Sequence, residues 1–227
     1  MVTNTYTKMF QALSPKNITD FAKKGEGTVK DGIQVYVLAW FVTLVLGIIG
    51  FFVAVGTTPE VEQLAQMFGM STVGILGVVL LVVTSVIGLI VGLVVQYITQ
   101  YAGAFSAKSL FKGKGKFEKQ FYLVMLFTGA LMIIASVLGL IEVIVPSIVM
   151  IVGIIELLLA LWSLYLLYHT LRVVHDISLA GGIVCVIIIL LVTFVIAFAL
   201  ALVLGGALLA GALGGAAAAS QMGNVPI

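Results

Sequence analysis

The sequence predicts an all-α integral membrane protein with five membrane-spanning helices. Of its 227 residues, 62% are hydrophobic and only 9% are charged, whereas a soluble domain carries about a quarter charged residues. A soluble fold of this size keeps much of its surface in water and could not hide so many apolar side chains. Five apolar stretches are also long enough to cross a bilayer, which requires about 20 mostly apolar residues.

The predicted spans are separated by short polar segments. They cover residues 33–55, 73–102, 121–142, 144–168 and 182–204. The second span is longer than one bilayer requires, so we expect it to tilt or to extend beyond the lipid. Residues 1–32 form an arm before this membrane domain, and residues 205–227 form a Gly- and Ala-rich tail after it.

The basic residues predict the orientation of the bundle. Counted along the chain, they fall in the arm, in the connection between the second and third spans, and, as Arg172, after the fourth span. The other two connections carry none. Lys and Arg collect in cytoplasmic segments, so we expect a cytoplasmic N-terminus and, after five crossings, a C-terminus outside.

The arm carries the signals of a short helix. Ser14 and Pro15 suit the N-cap and the first helical position, and Gly25 suits the end. Ile18, Phe21 and Ala22 share one face of that helix. We expect this helix to lie on the cytoplasmic membrane surface, and a flexible polar arm is the alternative.

The tail extends an uncharged segment too long for one crossing. We expect the adjacent glycines Gly205 and Gly206 to break the helix. The remaining small side chains could lie against the other helices, pair with a second copy or re-enter the membrane.

Glu156 stands at the middle of the fourth predicted span. A carboxylate at the bilayer centre costs about 2.5–3.5 kcal/mol on insertion scales and is rarely without a role. One interpretation is a proton or cation site between helices. The other, favoured here, is a protonated acid that hydrogen-bonds across helices. Its candidate partners are Thr43, Thr84, Ser85 and Ser136.

Glu142 and Pro146 mark the turn between the third and fourth spans. Pro146 near the start of a helix loses little, because its missing N–H would be unpaired there. A broken helix beside a carboxylate can build an ion site. The predicted position of Glu142 at the outer surface favours a simple interfacial residue instead.

Polar residues cluster where the fourth span is predicted to leave the membrane. Tyr165, His169, Arg172 and Asp176 step by four, three and four, so they share one helix face. Tyr168, Arg172 and His175 share an overlapping face. Arg172 could pair with Asp176, and its planar fork also suits phosphate. The cluster is either a contact site for lipid headgroups or a partner protein, or an aromatic belt with an interfacial arginine.

The loop before the third span is basic and glycine-spaced. Its sequence KGKGKFEK lacks the frame of a phosphate-binding P-loop. Lys112, Lys114 and Lys116 could attract anionic headgroups, each contributing about 1 kcal/mol near the surface. A solvated positive loop is the alternative. The two histidines, six residues apart, do not suit a zinc site, and no cofactor is expected.

Residues 96–192 resemble the Yip family, the Ypt/Rab-interacting membrane proteins and their prokaryotic relatives. The resemblance rests on the loop FKGKGKFEKQF, on Pro146, and on LWSLYLLYHTLRVVHDISLAGG at the end of the fourth span. It implies a five-span domain. Eukaryotic members carry a longer N-terminal region with an acidic-aromatic motif, which this arm lacks. The resemblance therefore points to a prokaryotic member and does not extend to small-GTPase binding.

Two functional hypotheses follow. The first is a non-enzymatic membrane organiser or adaptor that contacts lipids and either a membrane-protein partner or a second copy. The second is a small transporter or ion conductor that uses Glu156. No nucleophile, base and orienting group are in view for an enzyme, and no nucleic acid is expected as a partner. The expected location is a prokaryotic cell membrane, with a Golgi or ER membrane as the alternative.

Overall fold

The computed structural model describes residues 2–25, 27–57 and 70–222, and the described segments are almost entirely helical. Within these residues, two short helices precede five long ones. The helices are α1 Val2–Gln11, α2 Pro15–Lys24, α3 Val29–Thr57, α4 Met70–Phe111, α5 Phe117–Ile144, α6 Val149–His175 and α7 Leu179–Met222. A single 3₁₀ turn, Pro146–Ile148, joins α5 to α6.

The predicted number of spans is confirmed. Helices α3 to α7 each contain a stretch long and apolar enough to cross a membrane. The second span continues nine residues past its predicted end at residue 102, because α4 runs to Phe111. At 1.5 Å per residue, the 42 residues of α4 extend over roughly 63 Å, about twice the hydrocarbon thickness.

The predicted helix break at Gly205 and Gly206 is wrong. Helix α7 continues through both glycines to Met222. A glycine costs only about 1 kcal/mol relative to alanine inside a helix. The flanking alanines and leucines are strong helix formers, so their propensity outweighs the penalties of the two adjacent glycines.

The core is centred on the first half of α5. Every residue from Gln120 to Phe127 is buried. Helix α3 packs along α5 more extensively than any other pair of helices, α6 covers another side of α5, and α4 packs against α7. Large apolar side chains remain exposed along α4, α6 and α7, as expected for helices that face lipid.

The arm is part of this core rather than a surface helix. Helix α2 begins at Pro15 after Ser14 and ends at Gly25, which adopts the left-handed conformation with φ 72°. The apolar face of this helix is buried, with Ile18 fully inaccessible, because α2 packs against α5 and α6. This face therefore packs on protein, whereas a helix held only by the membrane surface would turn it toward lipid.

Helix α1 was not anticipated and also packs on α5. Met9 and Ala12 are fully buried. A Cβ atom at Gly129 of α5 would lie 2.8 Å from Met9 Cε, so this glycine makes room for the arm. The apolar face of an amphipathic helix can be covered by lipid or by protein, and the sequence of the helix alone does not show which.

Candidate functional site

One end of the bundle gathers the lysines and Arg172. It is formed by the arm, by the loop Lys112–Lys116 between α4 and α5, and by the turn 176–178 between α6 and α7. We call it the basic end. The 3₁₀ turn after α5 lies at the opposite end, because α5 and α6 are antiparallel neighbours.

A buried chain of hydrogen bonds links three helices at the basic end. His175 Nε2–H donates to Gln120 Oε1 at 2.7 Å. Gln120 Nε2 donates to the Gln100 carbonyl oxygen at 3.1 Å and to Gln100 Oε1 at 2.9 Å. The amide of Gln120 faces two acceptors, so its oxygen faces the histidine, which assigns the Nε2–H tautomer. The chain ties α4, α5 and α6 together where they meet.

The position of His175 corrects the expectation from sequence. Its side chain is fully buried and cannot contact a lipid headgroup or a partner from the surface. It also caps the core, because α6 ends at this residue. Its Nδ1 atom is buried and has no hydrogen-bond partner among the described residues.

The loop Lys112–Lys116, which we call the glycine loop, closes over this histidine. Gly113 N–H donates to the Ala107 carbonyl at 2.9 Å, and Lys114 N–H donates to the His175 carbonyl at 3.0 Å. A Cβ atom at Gly115 would lie 2.3 Å from the Val174 carbonyl oxygen and 2.8 Å from His175 Nδ1. The glycines thus allow the loop backbone to lie directly on the end of α6.

The lysines of the glycine loop point the other way. Lys112, Lys114 and Lys116 are all exposed, while Gly113 and Gly115 between them are half-buried. Because the loop is held down at its glycines, which lie against the end of α6, its lysines are presented outward. The spacing seen in the sequence is explained by this alternation.

His169 contacts the arm and is not free to bind a lipid headgroup or a partner at the surface. Its Nε2 atom lies 3.0 Å from the Pro15 carbonyl oxygen and 3.0 Å from Thr19 Oγ1. Two turns earlier on α6, Trp162 Nε1–H donates to the Leu13 carbonyl at 3.1 Å. Trp162 therefore binds the segment that joins α1 to α2, and His169 binds the start of α2. This contact was not predicted from the sequence, since nothing in the local pattern shows which element packs on α6.

Arg172 and Tyr168 form a packed pair over α7. The guanidinium carbon lies 5.6 Å from the centroid of the Tyr168 ring, within cation–π range. A Cβ atom at Gly182 would lie 2.7 Å from Arg172 Cγ and 2.8 Å from Tyr168 Cε2. This glycine lets both side chains lie against the start of α7.

The predicted pairing of Arg172 with Asp176 is wrong. Asp176 is the C-cap residue of α6, in the left-handed conformation with φ 54°, and its N–H donates to the Arg172 carbonyl. It therefore no longer follows the helical spacing on which the shared face depended. Tyr165 does remain exposed on α6, with its ring centroid 5.3 Å from that of Trp162.

Glu156 has none of its four predicted partners. Ser136 Oγ lies 3.1 Å from Thr43 Oγ1, and Ser85 Oγ accepts a hydrogen bond from Trp40 Nε1 at 2.8 Å. Thr84 donates to the backbone of its own helix. Glu156 instead lies on the exposed side of α6, in a groove shared with α5. The expected hydrogen bonds across helices are therefore wrong.

The remaining predicted positions lie at or near the opposite end. Pro146 begins the 3₁₀ turn, directly between α5 and α6. Glu142 is half-buried two residues before the end of α5. Among the described residues, no group of three or more His, Cys, Asp or Glu side chains could hold a metal ion.

The arm docking gives a testable expectation. Trp162→Phe and His169→Phe each remove a hydrogen bond to the arm, worth about 1 kcal/mol. We expect backbone hydrogen exchange across residues 12–19 to rise roughly fivefold in each variant. Trp40→Phe is the control, because its indole N–H serves Ser85 instead. Unchanged exchange in the first two variants would contradict the docking.

The fold and the basic end together define a multi-pass α-helical membrane protein with a buried chain of hydrogen bonds under a basic loop. A family model, the Yip1 domain, matches residues 19–201. The chain therefore belongs to the Yip family, as the sequence resemblance indicated. The match begins within α2, so it includes part of the docked arm. Searches of curated proteins and of solved structures each gave no match.

Proposed function

We propose that this protein is a non-enzymatic membrane organiser or adaptor that contacts anionic lipid headgroups through its glycine loop. In this proposal the basic end faces the cytoplasm, as the distribution of lysines favours. The proposal rests on one observation above others. Lys112, Lys114 and Lys116 are exposed on a backbone that is fixed by hydrogen bonds to α4 and α6.

A fixed loop favours binding more than a mobile one. Ordering a long side chain or a loop on binding costs free energy, and a backbone already held in place avoids part of that cost. Each lysine near an anionic surface contributes about 1 kcal/mol. Three lysines would therefore enrich anionic lipid roughly a hundredfold at low salt, and added salt would weaken the effect.

The histidines support a structural rather than a catalytic role. His175 is engaged with Gln120 inside the core, and His169 is engaged with the arm. The transport alternative draws less support, because Glu156 faces the side of the bundle instead of a passage through it. Tyr165 is exposed beside the same end, and we assign to it a contact with a membrane-protein partner or a second copy.

Lipid enrichment tests the headgroup contact. The protein is reconstituted in nanodiscs of mixed anionic and zwitterionic phospholipid, and the lipids that remain bound are counted by native mass spectrometry. We expect the wild type to retain anionic lipid preferentially. The triple variant Lys112→Gln, Lys114→Gln, Lys116→Gln should lose this preference.

A matched control separates the loop from net charge. Lys16, Lys23 and Lys24 are exposed in the arm, so their replacement by Gln removes the same charge near the same end. We expect this control to retain most of the preference. Equal loss in both triple variants, or no loss in the loop variant, would contradict a site on the glycine loop.

A further inference from the structure

A lateral groove between α5 and α6 combines polar and apolar groups. Its volume is about 280 Å³, near the lower end for small-molecule sites. The lining residues recur with helical spacing on both helices. They are Thr128, Leu131, Met132 and Ala135 on α5, and Glu156, Leu159, Ala160 and Ser163 on α6.

Three polar side chains in this groove have no hydrogen-bond partner among the described residues. They are the carboxylate of Glu156 and the hydroxyls of Thr128 and Ser163. Helical Ser and Thr hydroxyls usually bond to the carbonyl three or four residues earlier. Thr170 and Thr193 do so in α6 and α7. The two groove hydroxyls are therefore free where their counterparts are occupied.

The polar groups lie at the two ends of the groove. Because α5 and α6 are antiparallel, Thr128 lies level with Ser163, and Ala135 lies level with Glu156. Ser163 follows Glu156 by seven positions on α6, which corresponds to about 10 Å along the helix axis. Between these ends, Leu131, Met132 and Leu159 form apolar walls.

A membrane environment makes the free carboxylate significant. Ionisable residues within spans are rare and are normally paired, because a charge without a partner is costly in hydrocarbon. An ammonium group beside Glu156 would neutralise that charge. The small side chains Ala135 and Ala160 leave space opposite and beside the carboxylate, so the ligand can reach it from the lipid.

We propose that this groove binds an amphiphile with a primary amine at one end and a hydroxyl about 10 Å away. The amine pairs with Glu156, the hydroxyl bonds to Thr128 and Ser163, and the chain between them lies on the apolar walls. The site is independent of the headgroup contact proposed for the glycine loop, since it lies on α5 and α6 away from residues 112–116. The volume accepts one chain-like molecule, and not a whole helix of about 10 Å diameter.

The probe is an amino alcohol with its two groups at opposite ends of an octyl chain. Its binding is followed as a saturable rise in the thermal unfolding midpoint of the protein in phosphatidylcholine nanodiscs. Octanediol, with hydroxyls at both ends, is the matched probe without the amine. We expect the amino alcohol to bind at least about tenfold more tightly than the diol, as a charge-assisted hydrogen bond implies.

Three variants locate the site. Glu156→Gln removes the charge at similar volume, and Ala160→Leu fills the groove while Glu156 itself is kept. We expect each to weaken amino-alcohol binding at least about tenfold. Glu142→Gln removes the carboxylate near the end of α5 and should leave binding unchanged. Because Glu156→Gln removes an unpaired carboxylate, we expect that variant to fold at least as well as the wild type.

The opposite results overturn the proposal. The amine site is contradicted if the amino alcohol and the diol bind with equal affinity. It is also contradicted if wild type and Glu156→Gln bind the amino alcohol with equal affinity. Efficient crosslinking of two chains through Ala160→Cys would assign the groove to a second copy instead. Failure of these tests would leave the lipid enrichment by Lys112, Lys114 and Lys116 unaffected, so the two proposals are separable.

Discussion

Gly115→Ala is expected to lower the free energy of unfolding by about 2–3 kcal/mol, in the upper range for overpacking a core. The added Cβ would lie 2.3 Å from the Val174 carbonyl oxygen and 2.7 Å from its carbonyl carbon. Both are backbone atoms at the end of α6, so no side-chain rotation can relieve the clash. The glycine loop must lift away, which breaks the Lys114 N–H bond to the His175 carbonyl. Reversible unfolding in mixed micelles measures the change.

Gly153→Ala is the matched control for this expectation. Gly153 lies within α6, and apart from the neighbouring backbone of its own helix no atom lies within 4 Å of the position its Cβ would take. Alanine has the higher helix propensity, so this variant should be neutral or up to about 1 kcal/mol more stable. If the two variants unfold with the same free energy, the glycine loop does not pack as described.

Gln120→Leu is expected to destabilise the protein by about 3–4 kcal/mol. Leucine conserves much of the volume but leaves His175 Nε2–H and Gln100 Oε1 buried without partners. A buried polar group stripped of its partner costs about 1–3 kcal/mol, and two are stripped here. The same unfolding experiment measures the loss. Gln34→Leu, at an exposed position on α3, should stay within about 0.5 kcal/mol of wild type.

A double-mutant cycle distinguishes the hydrogen bond from simple packing. If the two side chains interact, Gln120→Leu combined with His175→Leu should cost at least 1 kcal/mol less than the sum of the single variants, roughly the energy of one buried hydrogen bond. Additive losses would show that Gln120 and His175 contribute independently, and would contradict a stabilising hydrogen bond between them.

The number of spans could be predicted because it depends on local composition. A run of apolar residues must be covered by lipid or protein whatever its neighbours are, so each long run marks a helix. The limits of α2 were equally local, since Ser14, Pro15 and Gly25 act within one turn of each end. Pro146 separates α5 from α6 for the same reason.

The parts that could not be predicted depend on which helices meet. His175 and His169 look alike in sequence, as polar residues at the end of one apolar helix. The glycine loop covers the first and the arm covers part of the second, and neither fact is visible in α6 itself. For Glu156, the local sequence was enough to predict a position within a span. Its lack of a hydrogen bond to the predicted Ser and Thr residues became visible only from the way α5 packs against α6.

The tail shows the limit of glycine as a signal. Gly205 and Gly206 lie inside α7, while Gly113 and Gly115 lie on a loop. In the loop they are required by close backbone contacts. In α7 the surrounding residues favour helix strongly enough to continue through them. The loop glycines alternate with lysines, which are good helix formers, so the break there depends on the close backbone contacts and not on the helix propensity of the neighbours.

A fluorophore placed beside the glycine loop can measure its contact with anionic headgroups. Ser109 is exposed two residues before the end of α4, and Ser109→Cys provides the attachment point. Quenching by headgroup spin-labelled phosphatidylserine and by spin-labelled phosphatidylcholine is then compared in the same bilayer. We predict stronger quenching by the anionic lipid, abolished by the triple Lys112, Lys114, Lys116→Gln replacement. Equal quenching by both lipids in the protein with the wild-type loop would contradict a contact between the glycine loop and anionic headgroups.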